Sequence, residues 1–297
     1  MSAQKKMPEK VQFNPLPEMD DVQFNQWINM LEERTGTRLP LERKSFLVTN
    51  LGIRMREIGC QSYQDYFDML SGVQGLKEWS TLVDRLTVHE TRFFRHPASL
   101  DMVSEYVANK LQNTNGKVSI QSWSVACSTG EEAYSLAMVI DQAIRKVNTP
   151  SYFGVLATDI SSASVELGRS GVYSERRLKD IDPSLRQQYF TPLSGNKFQV
   201  IGQLQKKVCF ARKNVLDMKD EPNGNMDIIY CQNLLIYFDR PARNDIVKNM
   251  VRHLLPGGLL ILGSGELLNL AHDELEKINH PRVLAYRRAN TINKEKL

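Results

Sequence analysis

Up to about Ser99 the apolar residues recur every three or four positions, the spacing of one helical face, with no convincing two-residue alternation of a strand. The stretch "VQFNQWINMLEERTG" predicts a helix that closes on Gly36, and Leu47, Leu51, Met55 and Ile58 share one face of the next. Further helices are predicted over 63–70 and 76–86. Ahead of them, residues 1–19 are polar and carry Pro8, Pro15 and Pro17, the composition of a flexible arm. An all-helical domain is therefore expected over 20–99.

Beyond that point the periodicity changes. After a predicted helix at 100–111 and the turn "NTNGK", short apolar runs alternate with helical segments. Strands are predicted at 119–126, 153–158, 208–211, 226–231, 258–263 and 283–287, with helices after the first, second and fourth. Such an order builds an α/β domain over 100–290, its mostly parallel sheet covered on both faces and its ligand at the carboxyl ends of the strands. Between 189 and 210, short alternating runs broken by Gly195 and Gly202 predict a small antiparallel β-subdomain insertion. Residues 291–297 are expected to be a tail.

Composition narrows the class. The 297 residues are 41% hydrophobic and 24% charged, enough to bury a full core. No apolar run approaches the roughly 20 residues that cross a bilayer, and the first residues lack the apolar segment of a signal peptide, so a cytoplasmic address is expected. A net charge of +4 is mild for a nucleic-acid binder. Cys60, Cys127, Cys209 and Cys231 show neither CxxC spacing nor a neighbouring His cluster, so no metal is expected.

The chemistry gathers at the predicted strand ends. In "VACSTGEEAYSLAMVI", residues 125–140, a strand turns into a helix with the single glycine Gly130, where a pyrophosphate-binding turn would carry G-x-G-x-x-G. A ligand without phosphates does not need that bare backbone, and one bearing an ammonium group favours a nearby carboxylate. Glu131 is expected to face such a cation while Glu132 points away along the helix; alternatively, both acids only complement the helix dipole, worth roughly 0.3–1 kcal/mol. "VLATDIS" places Asp159 past the second strand, where an acid accepts both ribose hydroxyls of a nucleoside or else caps the following helix. "MDIIYCQNLLIYFD" adds Asn233 and Tyr237 at the end of a third strand. S-adenosylmethionine, a cationic nucleoside without phosphates, fits this set.

These segments, with "TVHETRFFRHP" before them and "LLPGGLLILGSGE" after, resemble the chemotaxis receptor methyltransferase (CheR) family of S-adenosylmethionine-dependent protein-glutamate O-methyltransferases over about residues 21–288. The resemblance implies a Rossmann-like class I methyltransferase domain with a β-subdomain, preceded by an all-helical domain. It implies that His89, Thr91, Arg95 and Glu131 border the cofactor's methionine end, Asp159 its ribose, Asn214 with Val215 its adenine, and Asn233 with Leu234 the pocket floor. Arg95 and Tyr237 are the expected catalytic pair. The family commonly has Asn at the position of His89 and a small residue at that of Arg92.

The implied reaction moves a methyl group to glutamate side chains on the cytoplasmic helical region of a chemoreceptor, leaving S-adenosylhomocysteine. Arg43, Asn50 and Arg54, spaced by seven and four residues, fall near one side of the second helix with Arg56 further round, and Arg43, Arg54 and Arg56 are the expected receptor contacts. The short loop at 194–197 suggests a member that works without a C-terminal receptor tether, and a monomer is expected. Other acceptors remain open, although "NLLI" lacks the prolines of base amino-group methyltransferases, as does a non-catalytic binding module. A dehydrogenase is disfavoured by the missing glycines.

Overall fold

Local capping sets the limits of the N-terminal helices. The computed structural model describes residues 18–37, 39–73, 75–87, 90–147, 150–220, 224–266 and 272–290. Helix α1 (Asp21–Thr35) starts on Asp20, which forms a capping box with Gln23, and stops at Gly36, whose φ of 71° suits a residue without Cβ. Helices α2 (Lys44–Ile58), α3 (Tyr63–Ser71) and α4 (Gly75–Leu86) pack with α1 around Trp27, Leu47, Leu51, Met55, Tyr66 and Leu82. The predicted face of α2 is the buried one, except that Ile58 lies only partly under cover. Helix α5 (Pro97–Gln112) then leads into the sheet.

The remaining elements are β1 (Val118–Val125), α6 (Glu131–Val147), β2 (Ser151–Asp159), α7 (Ser162–Ser170), β3 (Val172–Ser174), α8 (Pro183–Tyr189), β4 (Phe190–Leu193), β5 (Lys197–Val200), α9 (Gly202–Gln205), β6 (Val208–Arg212), β7 (Met226–Cys231), α10 (Arg240–His253), β8 (Leu254–Leu262), β9 (Leu275–Ile278) and β10 (Leu284–Arg288). Seven strands form the main sheet in the order β6-β2-β1-β7-β8-β10-β9. Neighbours from β6 to β8 run parallel, while β10 is antiparallel to both β8 and β9. One apolar cluster, including Ile120, Val155, Ile228 and Ile261, covers one face, and a second, including Trp123, Ile229, Leu260 and Met250, covers the other. Burial on both faces explains why these strands read as continuous apolar runs.

The chain moves outward from β1 through β2 to β6, then crosses back to place β7 on the other side of β1. That reversal opens a crevice at the carboxyl ends of β1 and β7, the usual ligand position in open parallel sheets.

Three expectations change. The small antiparallel sheet, of order β3-β5-β4, begins at Val172 rather than near 189 and ends at Val200 rather than 210, since β6, the strand expected at 208–211, belongs to the main sheet. A three-residue strand such as β3 is too short for alternation to register. Strand β9 was not anticipated, for the same reason. No described helix is long and apolar enough to cross a membrane.

Gly130 is fixed by packing. Its φ is 95°, and a Cβ there would meet Gly168 Cα, Phe210 Cζ and Tyr173 Oη, each at 2.9 Å. Gly130→Ala combines left-handed strain with overpacking and is expected to destabilise the protein by about 2–4 kcal/mol in chemical denaturation; a change within error would show that this turn tolerates displacement.

Candidate functional site

Beyond Val125 the chain leaves β1 through two non-glycine residues in left-handed conformation, Ala126 (φ 58°) and Ser128 (φ 49°). Asp159, at the end of β2, holds this turn: one carboxylate oxygen accepts from the Ser128 N–H (2.8 Å) and the other from the Ser161 N–H (2.9 Å). The Cys127 N–H donates to the Thr158 carbonyl at 2.9 Å, locking the same two crossings together. Asp159 is 8% exposed and lines a cleft of about 590 Å³ over the carboxyl edge of the sheet. That volume lies in the usual range for a small-molecule site.

The expected orientation of the two glutamates is reversed. Glu131 is fully buried away from the cleft lining, paired with Arg177 and bonded by the Thr129 hydroxyl at 2.6 Å. Arg177 also donates to the Thr129 hydroxyl at 2.8 Å, so the residues just after β3 clamp the first turn of the site. Glu132 is the one that lines the cleft, with the Ser124 hydroxyl donating to it at 2.7 Å. Successive helical residues are rotated by about 100°, so only one of two adjacent acids reaches a given wall. Glu132 opens onto the cleft yet is deeply enclosed, and burial pushes its carboxyl up to about 8, against the pull of Ser124.

The opposite wall comes from the end of β7. Gln232, Asn233, Leu234 and Tyr237 all line the cleft. Asn233 has a φ of 61° and its amide lies 3.3 Å from His96 Nε2. Behind this turn Glu266 accepts from the Leu235 N–H (3.1 Å) and the Gly263 N–H (2.7 Å). Burial raises the Glu266 carboxyl, partly offset by these backbone donors.

The roof is shared between the two halves of the chain. Thr91, Arg92, Phe94, Arg95 and His96 approach from the segment before α5, and Thr35, Thr37 and Arg43 from the helical domain. Phe94, at a φ of 52°, donates its N–H to the Ser135 hydroxyl at 3.0 Å, which ties the segment to α6. Arg95 Nη1 donates to the Glu90 carbonyl at 2.8 Å. Asn214 donates from its amide nitrogen to the Arg34 carbonyl at 2.9 Å, joining the end of β6 to α1. Burial and then Arg95 and Arg92 lower the pKa of His96, keeping its ring neutral more readily. The cleft thus has carboxylates on its floor and guanidinium groups at its mouth.

The structure brings Thr91, Arg95, Asp159, Asn214, Val215, Asn233, Leu234 and Tyr237 to one cleft. Glu131 is not among them, and His89 lies outside the described residues. Of the expected docking arginines, Arg43 precedes α2 and reaches the cleft rim. Arg54 is instead committed to Glu78 (2.6 Å) and Glu57 (2.9 Å), both of which raise its pKa, while Arg56 is exposed. Sequence reasoning missed Glu132 and Gln232, and gave no role to Arg92, which lines the cleft with an exposed side chain 4.0 Å from Asp180. A helical-wheel projection of α6 alone does not separate Glu131 from Glu132, because α6 is buried on most sides.

A family model described as the CheR methyltransferase SAM binding domain matches residues 89–284, and one described as the CheR methyltransferase all-alpha domain matches residues 23–87. A chemotaxis protein methyltransferase of Salmonella typhimurium is 31% identical over 84% of this chain and 84% of its own length. That of Escherichia coli is 30% identical over 86% of this chain and 87% of its own. Among solved structures, an O-methyltransferase family protein from Burkholderia thailandensis gives a TM-score of 0.39 at 12% identity, over 76% of this chain and 63% of that one.

The raised Glu132 carboxyl makes stability depend on pH. Between the ordinary carboxylate value and about 8 the folded chain holds a proton that the unfolded chain has released, so this group makes stability fall as pH rises through that window. Denaturation of the ligand-free protein at a series of pH values is expected to show the decline, and Glu132→Gln to flatten it; identical slopes would refute the enclosed acid.

Proposed function

Because the chain belongs to the CheR methyltransferase family, we propose that it transfers the methyl group of S-adenosylmethionine to glutamate carboxylates on the cytoplasmic helices of a chemoreceptor. The observation that carries the cofactor half of this reading is a cleft whose floor offers Asp159 and Glu132 and whose first turn lacks a phosphate cradle. A cationic nucleoside matches that donor set. Asp159 would hold the ribose, Asn214 and Val215 the adenine, and Glu132, Thr91 and Arg95 the methionine end, with Asn233 and Leu234 along the opposite wall. When bound, the cofactor supplies an electrophilic methyl group on a positive sulfur.

The chain's own residues then have a limited task. A glutamate acceptor has a reference pKa near 4.3 and is already ionised at neutral pH, so no general base is required. The protein must exclude water, orient the carboxylate and avoid competing with it, effects together worth roughly 7–11 kcal/mol in well-aligned reactions. Arg95, with one nitrogen fixed on the Glu90 carbonyl, keeps its remaining donors for an incoming carboxylate. Tyr237 borders the approach, and Arg92 and Arg43 place positive charge at the entrance, which favours an acidic helix by electrostatic steering. Glu131 takes a supporting part through Arg177, and Arg54 serves the helical domain rather than a partner.

The hairpin between β4 and β5 is tight, pairing Leu193 with Lys197, and offers little surface beyond the strands. This supports direct docking on the receptor without a peptide tether, and the chain is taken to act as a monomer. The Salmonella typhimurium and Escherichia coli relatives are named chemotaxis protein methyltransferases, which supports a part in chemotaxis.

Two outcomes test the reading. Incubation with methyl-labelled S-adenosylmethionine and receptor cytoplasmic fragments is expected to give base-labile label on the receptor; base-stable label indicates another acceptor, and none indicates a binding module. Arg95→Ala is expected to lower kcat/KM by about 10²–10³ with an unchanged melting temperature; near-normal turnover removes Arg95 from the mechanism.

A further inference from the structure

We propose that Glu266 is a positioning residue for methyl transfer: its buried carboxylate fixes the turn after β7 and thereby sets Asn233 and Tyr237 on the cleft wall. This rests on the methyltransferase reading above and gives a role to "LGSGE", residues 262–266, at the end of β8, which neither the family resemblance nor the cleft lining assigned.

Glu266 is 2% exposed and does not line the cleft, so it acts there only through other residues. One carboxylate oxygen accepts from the Leu235 N–H at 3.1 Å and the other from the Gly263 N–H at 2.7 Å, which spans the ends of the neighbouring parallel strands β7 and β8. The Glu266 N–H donates to the Gly263 carbonyl at 3.1 Å, closing a turn that folds the acid back over the end of β8. An added Cβ at Gly263 would lie 2.5 Å from Oε2, so the approach needs a residue without one. From α10, Arg243 donates through Nη1 to the Glu266 carbonyl (3.1 Å) and through Nε to the Phe238 carbonyl (2.7 Å). Residues 233–238 are thus held at Leu235 by a carboxylate and at Phe238 by a guanidinium.

In that stretch Asn233, Leu234 and Tyr237 line the cleft, whereas Leu235 is buried. Asn233 is left-handed at a φ of 61°, a conformation that persists only where its surroundings impose it. Without Glu266 the N–H of buried Leu235 would lose its acceptor, and the turn would have to move to satisfy it. Asp159 joins the turns after β1 and β2 in the same way, but it lines the cleft and can also meet a ligand. Glu266 has both oxygens on backbone donors behind the wall, which leaves positioning as its contribution to the reaction.

Glu266→Gln keeps the shape but sets an amide NH2 against one of the two backbone donors. Turnover on a receptor cytoplasmic fragment, measured at a temperature at which circular dichroism shows the variant fully folded, is expected to lose about tenfold in kcat, since small misplacements of reacting groups are enough for that. The affinity for 5′-methylthioadenosine, which occupies only the nucleoside side around Asp159 and Asn214, is expected to stay within about twofold of wild type in calorimetry. Gly263→Ala, which crowds the same carboxylate, is expected to show the same split and carries the test if the glutamine variant does not fold. A lowered melting temperature with unchanged kcat makes the carboxylate merely structural and overturns the proposal. A parallel loss of kcat and nucleoside affinity also overturns it, because the whole cleft would then have loosened. Wild-type protein that gives no heat with S-adenosylhomocysteine overturns the functional reading and the proposal with it, whereas an active wild type beside an equally active glutamine variant overturns the proposal alone.

Discussion

The site depends on one carboxylate that joins two crossings. Asp159 takes backbone N–H groups from Ser128 and Ser161, so the turn after β1 and the turn after β2 are fixed by the same side chain. Without it, Ala126 and Ser128 would have little reason to stay in left-handed conformations that cost of order 1–3 kcal/mol each. Such strained positions recur around the cleft at Phe94 and Asn233. Strain gathers where backbone must bend sharply to present polar groups, and here it marks the ligand edge of the sheet.

A second requirement is closure from above. The helical domain meets the sheet domain through Asn214 on the Arg34 carbonyl and through Gly36, where an added Cβ would lie 2.7 Å from Phe238 and 2.8 Å from Leu216. The glycine that ends α1 therefore also permits close contact with Leu216, between β6 and β7, and with Phe238, beyond β7. Closure lowers the local dielectric, which strengthens each charge inside the cleft and raises the carboxyl of Glu132. The same enclosure that leaves Glu132 protonated in the empty cleft makes a cationic ligand its natural counterpart.

The small antiparallel sheet contributes beyond its size. Tyr173 on β3 donates to the Thr129 carbonyl at 2.8 Å, and Arg177 closes over Thr129 and Glu131. Phe93, between the roof segment and this sheet, packs edge-on against Tyr173 at 5.0 Å and Phe190 at 5.5 Å. The first turn, the roof and the subdomain thus share one set of contacts, and Glu131 belongs to it as a structural acid.

Local sequence alone determined the helical domain, the alternation of strand and helix, and the placement of Asp159, Asn233 and Tyr237 at strand ends, because capping residues and apolar periodicity act within a few residues. It also carried the family motifs, and through them most of the cleft lining. Only the tertiary structure decided which of two adjacent glutamates faces the ligand, that Arg54 is spent on Glu78, that Arg92 stands at the entrance, and that Glu266 holds the turn after β7. Each of these turns on a partner distant in the chain, Arg177 for Glu131 and Glu266 for Leu235, and no periodicity records which distant side chain will arrive to claim a charge or a hydrogen bond.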